Sequence, residues 1–287
     1  MSPEAQMLSP ILLQGTVTVS PGQKAEVPFA AVQNPFKTAM LVDEIRFSAN
    51  ATGSNTTNLV LQAEMFVGRV PLTNGPIPLR SFGRTLNWYD AGFQNSIPST
   101  WKLPKPLYIP AGERLIIKIY YLPGFLVPDR TVTTIVVGRS LPANQPPPKV
   151  VHFPWVAHFM TPFAENVDQV DTSTEANLMN PFREVLHVQR FIGRYDNLAN
   201  SASTREVSGL TEKETNVRAS DSFGNILVRD PTPFAHLFQA PTRTWTINSQ
   251  LAPNGFYLFT VDRTWDAGAF SGTVAISMVG HHDVELR

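Results

Sequence analysis

Gln33-Asn34-Pro35-Phe36 has an echo in Asn180-Pro181-Phe182, 146 positions further on, and each copy leads into a strand-like run. Further matches follow in the same order. Ser81-Phe82-Gly83 returns as Ser222-Phe223-Gly224, and Thr100-Trp101 as Thr244-Trp245. Pro110-Ala111-Gly112 returns as Pro253-Asn254-Gly255. Thr131-Val132 and Val137-Gly138 return as Thr273-Val274 and Val279-Gly280. The offsets stay between 141 and 146. Collinear matches at a nearly constant offset point to two copies of one domain.

Between these markers the chain reads as short strands. Ile11–Val19, Ala25–Val32, Ala39–Phe47, Leu59–Val67, Arg114–Tyr121 and Thr131–Val137 are strand-like in the first half. Leu59, Leu61, Ala63, Met65 and Val67 alternate with polar neighbours, the period of a half-buried strand. Pro28 places the second of these strands at an edge or a bulge. The second half offers Val150–Phe159, Glu184–Ile192, Gly224–Val228, Thr244–Ile247, Gly255–Val261 and Gly272–Val279. The proline-rich residues 68–106 read as long loops with one or two short strands, and the acidic stretch 164–177 and the polar stretch 197–215 as loops. No long segment carries a 3.6-residue period.

This gives four divisions. Residues 1–10 are an arm with neither the basic start nor the apolar stretch of a secretory leader. Residues 11–141 are the first domain, 142–149 a stiff linker holding Pro146-Pro147-Pro148, and 150–287 the second domain. The expected fold class is all-β: two tandem jelly-roll sandwiches of seven or eight strands each. An immunoglobulin-like sandwich is the nearest rival, but it needs only about 100 residues.

Chemistry is sparse. The chain has no cysteine, and its 23 basic and 23 acidic residues balance, which argues against thiol chemistry and a general nucleic-acid surface. The six histidines include no His-x-His pair. His152 and His158 share a strand face without a third nearby ligand, and His281 and His282 point to opposite faces, so no metal site is expected. Glu165, Asp168, Asp171 and Glu175 lack the spacing of a calcium loop. No nucleophile elbow or phosphate loop is present, and no catalytic residue or cofactor site is assigned. Asn50-Ala51-Thr52 and Asn55-Thr56-Thr57 fit the glycosylation pattern by chance. Trp101 and Trp245 fall at matching repeat positions, as do Phe36 and Phe182, so these four read as structural anchors rather than as a ligand platform. In Asn-Pro-Phe, the proline fixes φ, the residue before it is extended, and the phenylalanine anchors the corner in the core.

Two tandem jelly rolls carried on these repeated motifs resemble the double jelly-roll major capsid proteins of adenovirus-hexon-like viruses, in particular tailless icosahedral phages with an internal membrane. The resemblance covers residues 11–287. It implies a structural virion protein made in the host cytoplasm, not an enzyme. Three chains would form a pseudo-hexagonal homotrimer that meets neighbouring capsomers, a vertex protein and a membrane beneath. It also implies that Met1–Pro10 reaches a neighbour and that residues 68–106 and 197–215 form towers or subunit contacts. Two other readings stand beside it. A carbohydrate- or receptor-binding sandwich would expose Trp88 and Trp155, and a double jelly-roll enzyme would need paired acids or histidines in a cleft between the barrels.

Overall fold

A computed structural model describes residues 9–28, 38–50, 61–82, 99–122, 129–142, 145–163, 172–197, 215–238, 243–263 and 272–285. The first barrel is built from β1 (Ser9–Val19), β2 (Lys24–Glu26), β3 (Met40–Asn50), β4 (Leu61–Val67), β5 (Val70–Pro71), β6 (Ile77–Pro78), β7 (Ser99–Ile109), β8 (Leu115–Tyr121) and β9 (Arg130–Ser140). The second contains β10 (Val150–Phe163), β11 (Thr172–Met179), β12 (Leu186–Asn197), β13 (Thr215–Asp221), β14 (Ile226–Pro233), β15 (Thr244–Leu251), β16 (Phe256–Arg263) and β17 (Gly272–Glu285). A 3-10 turn, Leu79–Phe82, and one helical turn, Phe234–Leu237, are the helical elements named among the described residues.

Four sheets result: β1-β9-β3-β7 and β2-β8-β4-β5 (with β6 beside β4), then β10-β17-β12-β15 and β11-β16-β13-β14. Counting β5 and β6 as one strand and numbering one to eight within each barrel, both pairs run 1-8-3-6 and 2-7-4-5. This is the jelly roll, built twice. The strand pairs within these sheets are antiparallel, and in several strands buried side chains alternate with more exposed ones. β8 and β9 show this as a strict buried-then-intermediate pattern over Leu115–Tyr121 and from Arg130 to Gly138. The two inner faces close on separate cores, one around Ile45, Met65, Phe82, Trp101 and Ile117, the other around Val188, Phe191, Tyr257, Phe259 and Ile276. Each fully buried side chain of this kind is worth about 1.5–3 kcal/mol.

Two assignments from the sequence are corrected: a strand in the region 68–106 is long rather than short, and one loop is a strand. Residues 99–109 form an eleven-residue strand, although Pro104 and Pro106 lie within it. β7 is an edge strand, and its register to β3 is interrupted between Leu107 and Lys102, so the prolines sit where no ladder bond is required. The rule is general here: the strand prolines Pro10, Pro71, Pro78, Pro104, Pro106, Pro154, Pro162, Pro231 and Pro233 all fall on strands at sheet margins. They also deny those margins a continuous row of donors, which discourages unplanned strand addition. The second correction is β11. Thr172–Met179 pairs with β16, and alternate exposure of Ser173, Glu175, Asn177 and Met179 explains why the stretch reads as a polar loop.

Candidate functional site

The described residues concentrate their unusual features where the two barrels meet. β10 is the edge of its sheet, and the free side of that edge is met by residues 72–74 of the first barrel. Val156 N donates to Leu72 O at 3.0 Å, Asn74 N donates to Val156 O at 2.8 Å, and Thr73 bridges to Val156 in parallel. Thr73 is itself fixed, because its Oγ1 accepts from Met65 N at 3.1 Å. On β10, β17 and β12 the face turned away from the second core carries Val156, Val279 and Ile192, and these join the first barrel's core. A second apolar contact unites Tyr108 and Leu141 with Val151 and Phe153. Main-chain bonds and shared apolar packing thus lock the barrels side by side.

The same outward face becomes polar at one end. His152 pairs with Asp283 across β10 and β17, and His187 pairs with His281 across β12 and β17, so register puts all four on one face. His152 Nδ1 lies 2.7 Å from Asp283 Oδ1, and His281 Nε2 lies 3.6 Å from the same oxygen. Lys105 of β7 brings its Nζ within 3.7 Å of Asp283 Oδ2. His281 stacks on His187 with centroids 5.0 Å apart and meets His152 edge-on at 5.9 Å. Burial lowers the His281 pKa to about 4, with Lys105 adding to the effect against the opposing pull of Asp283. Burial alone would raise Asp283, but the hydrogen bond and charge of His152, with Lys105, leave its carboxyl below the ordinary range. The sequence expectation that His152 has no third ligand nearby fails here, because ligands on neighbouring strands are invisible to linear spacing.

The other residues singled out from sequence fall as follows. Trp101 is wholly buried against Phe82, centroids 5.3 Å apart, and its register partner is Ile45. Trp245 is half-buried against Phe191, its register partner, at 5.3 Å. Both partners lie just past a bulge in the third strand, between Val42 and Glu44 in one barrel and between Val188 and Arg190 in the other. Phe182 is half-buried rather than fully so; it stands edge-on to Trp155 at 4.8 Å and stacks on His282 at 3.7 Å. His282 does face opposite to His281, as alternation requires. Trp155 is 3% exposed, so it offers no sugar platform. Glu175 lies on β11, and His158 sits on β10 with its Nδ1 buried and without a hydrogen-bond partner among the described residues. Phe36, Trp88, Glu165, Asp168 and Asp171 lie outside the described residues.

Three sequence readings change in detail. The Ser-Phe-Gly match is not a repeat: Ser81 and Phe82 are buried in the turn after β6, whereas Phe223 is 67% exposed at the β13–β14 turn. In the proline turns, the residues of positive φ are Gly112 and Asn254, so the matching is one residue out: Gly112, not Ala111, corresponds to Asn254. The residue that matters most in the second Asn-Pro-Phe is the asparagine. Asn180 is fully buried; its Nδ2 lies 3.0 Å from the carbonyls of Glu184, Leu251 and Ala252, and its Oδ1 accepts from Phe182 N at 3.0 Å. Asn180 N also donates to Gly255 O, and Asn254 N to Asn180 O, so two of the repeated motifs clasp one another.

No protein-family model matches the chain, and no curated protein matches it in sequence. Solved structures do. VP54 of the virus PBCV-1, in a crystal structure fitted into a reconstruction of the virophage Sputnik, superposes with a TM-score of 0.51 at 8% identity, covering 97% of this chain and 95% of that one. A quasi-atomic PBCV-1 capsid gives 0.50 at 8% identity, with the same coverage. The major capsid protein P2 of bacteriophage PM2 gives 0.47 at 10% identity, covering 96% and 98%. The chain therefore shares the double jelly-roll fold of the PBCV-1 capsid protein along nearly its whole length.

Proposed function

We propose that this chain is a viral major capsid protein whose three copies close into a pseudo-hexagonal capsomer of an icosahedral shell. The observation that carries the reading is the locked pair of equal barrels. A trimer of such pairs presents six similar barrels, so a threefold molecule can fill a sixfold lattice position. A tile under shell load needs rigidity between its halves, and the Leu72–Val156–Asn74 bonds with the shared apolar seam supply it. It also needs sheet margins that do not recruit strands at random, and the prolines on the marginal strands meet that need. The fold likeness to a PBCV-1 capsid extends over 97% of the chain. Fold alone does not assign function, so the reading rests on these features together.

Closed rings of identical subunits bury matching surfaces. Candidates on this chain are the exposed apolar side chains Leu12, Met179, Phe223 and Ile226. Light scattering after size-exclusion chromatography tests the proposal. A particle of three times the single-chain mass, forming hexagonal tiles by electron microscopy, is expected. A strict monomer at all concentrations overturns it.

A further inference from the structure

We propose that His152, His281 and Asp283 bind one divalent transition-metal ion, best matched by zinc. Three ligand groups converge from adjacent strands: His152, His281 and Asp283 each offer one ligand atom, and these atoms all lie within 4.8 Å of one another. Tetrahedral zinc with bonds of about 2.0–2.1 Å sets its ligand atoms about 3.3 Å apart. The 3.6 Å between His281 Nε2 and Asp283 Oδ1 is already near that spacing. The 2.7 Å between His152 Nδ1 and Asp283 Oδ1 must open by about 0.6 Å, a small rotation for two side chains about 30% exposed.

A second observation points to a ligand. His281 is 5% exposed, and neither of its ring nitrogens has a hydrogen-bond partner among the described residues. A buried polar atom left unsatisfied costs about 1–3 kcal/mol. An ion seated on Asp283 Oδ1 would occupy the lone pair of Nε2 and remove one of those deficits. The surroundings are built as metal surroundings are. Ligating carboxylates are held by outer partners, and Lys105 holds the other oxygen of Asp283 from the first barrel. His187 stacks flat on His281 and fixes its ring plane. The Lys105 charge opposes a cation, but its side chain is 41% exposed and screened by solvent.

The donor set selects the class of ion. Two imidazoles and one carboxylate suit zinc and its neighbours, whereas calcium and magnesium require oxygen shells. Three protein ligands leave a fourth position, and the solvent-facing side of His152 and Asp283 lets water close it. The ion would clip the edge strand β10 to β17 beside the seam between the barrels. This inference stands whether or not the chain assembles a capsid.

The test uses the untagged full chain, stripped with a chelator and titrated with zinc chloride by calorimetry and with cobalt chloride by visible absorption. One zinc per chain with a Kd of about 10 µM or tighter is expected, together with an intense tetrahedral cobalt band. His152→Ala and Asp283→Asn, both on partly exposed side chains, should weaken binding more than about tenfold and abolish the cobalt band. His236→Ala, at an exposed histidine elsewhere, should change neither. Absence of zinc binding, or binding that survives both His152→Ala and Asp283→Asn, overturns the proposal.

Discussion

Gly138 and Gly280 occupy the same place in their two barrels, each facing a main-chain carbonyl beside a bulge. A Cβ on Gly138 would overlap Leu41 O, and one on Gly280 would overlap His187 O. Gly138 pairs with Val42 and Gly280 with Val188, the last regular partners before each third strand bulges. The bulge increases twist and draws the strand backbone toward its neighbour. Gly138→Ala and Gly280→Ala should each destabilise the protein by about 1–3 kcal/mol, the range for overpacking. Because the obstructing atoms are backbone, side-chain rotation offers no relief. Urea unfolding monitored by tryptophan fluorescence measures the loss, and an unchanged midpoint for both variants would refute the shared constraint.

That equivalence marks what the sequence could and could not disclose. Val137-Gly138 and Val279-Gly280 are legible as a repeat, because the physical constraint on them is local and demands glycine. Thr100-Trp101 and Thr244-Trp245 are legible for a similar reason, since each tryptophan sits opposite a residue just past its bulge. β7 is not legible in its full length, since Pro104 and Pro106 argue against a long strand until the strand is known to be at an edge. β11 is hidden by its polar alternate residues. The cluster of His152, His281 and Asp283 is hidden for a deeper reason: it depends on pairing between β10 and β17, whose partners lie about 130 residues apart. Ser-Phe-Gly shows the converse error, a short match without a shared position.

Asn180 holds the second Asn-Pro-Phe corner, and its chemistry predicts an asymmetry between two substitutions. Asn180→Ala removes the Nδ2 donor from three carbonyls and the Oδ1 acceptor from Phe182 N. Stranding these buried groups should cost about 2–4 kcal/mol. Asn180→Asp keeps the bond to Phe182 N but turns an anionic oxygen toward the carbonyls of Leu251 and Ala252, so it should be the worse change at neutral pH. Thermal unfolding of the two variants side by side decides it. Equal melting temperatures would show that an anionic oxygen facing these carbonyls adds no penalty.

Phe182 has a smaller stake than a core ring. It is half-buried between Trp155 and His282, so Phe182→Ala should cost about 1–2 kcal/mol rather than the 3–5 kcal/mol of a buried phenylalanine. Trp101→Ala, at a wholly buried ring packed on Phe82, should reach the larger figure. Chemical denaturation of both variants gives the comparison, and a reversed order would overturn the burial argument.

Phe223 tests assembly without testing folding. It stands 67% exposed on a turn whose backbone is fixed by Asp221, which accepts from Phe223 N at 2.9 Å and Asn225 N at 2.8 Å. Ile226, 63% exposed, lies just beyond the turn. Phe223→Asp should leave the unfolding free energy of the dilute single chain within about 0.5 kcal/mol of the parent, as surface changes do. Under the capsomer reading it should weaken self-association at least about tenfold by sedimentation, because a charge would enter an apolar contact. Unaltered association would remove this turn from the interface.

His158 predicts how the barrels respond to acid. Burial holds its pKa down at about 4, and its Nδ1 has no hydrogen-bond partner among the described residues. In the unfolded chain the ring titrates near 6.5. Between those values the unfolded state binds the extra proton, so stability falls as pH falls through this window. Above pH 6.5 the group imposes no penalty; below about 4 the full difference, no more than about 3 kcal/mol, has been lost. His158→Gln keeps a comparable size and polarity but cannot titrate. Its unfolding free energy should therefore depend less steeply on pH between 6.5 and 4 than the parent's, with the two curves converging in slope above pH 7. Parallel curves through the whole window would mean that His158 does not carry the proton linkage.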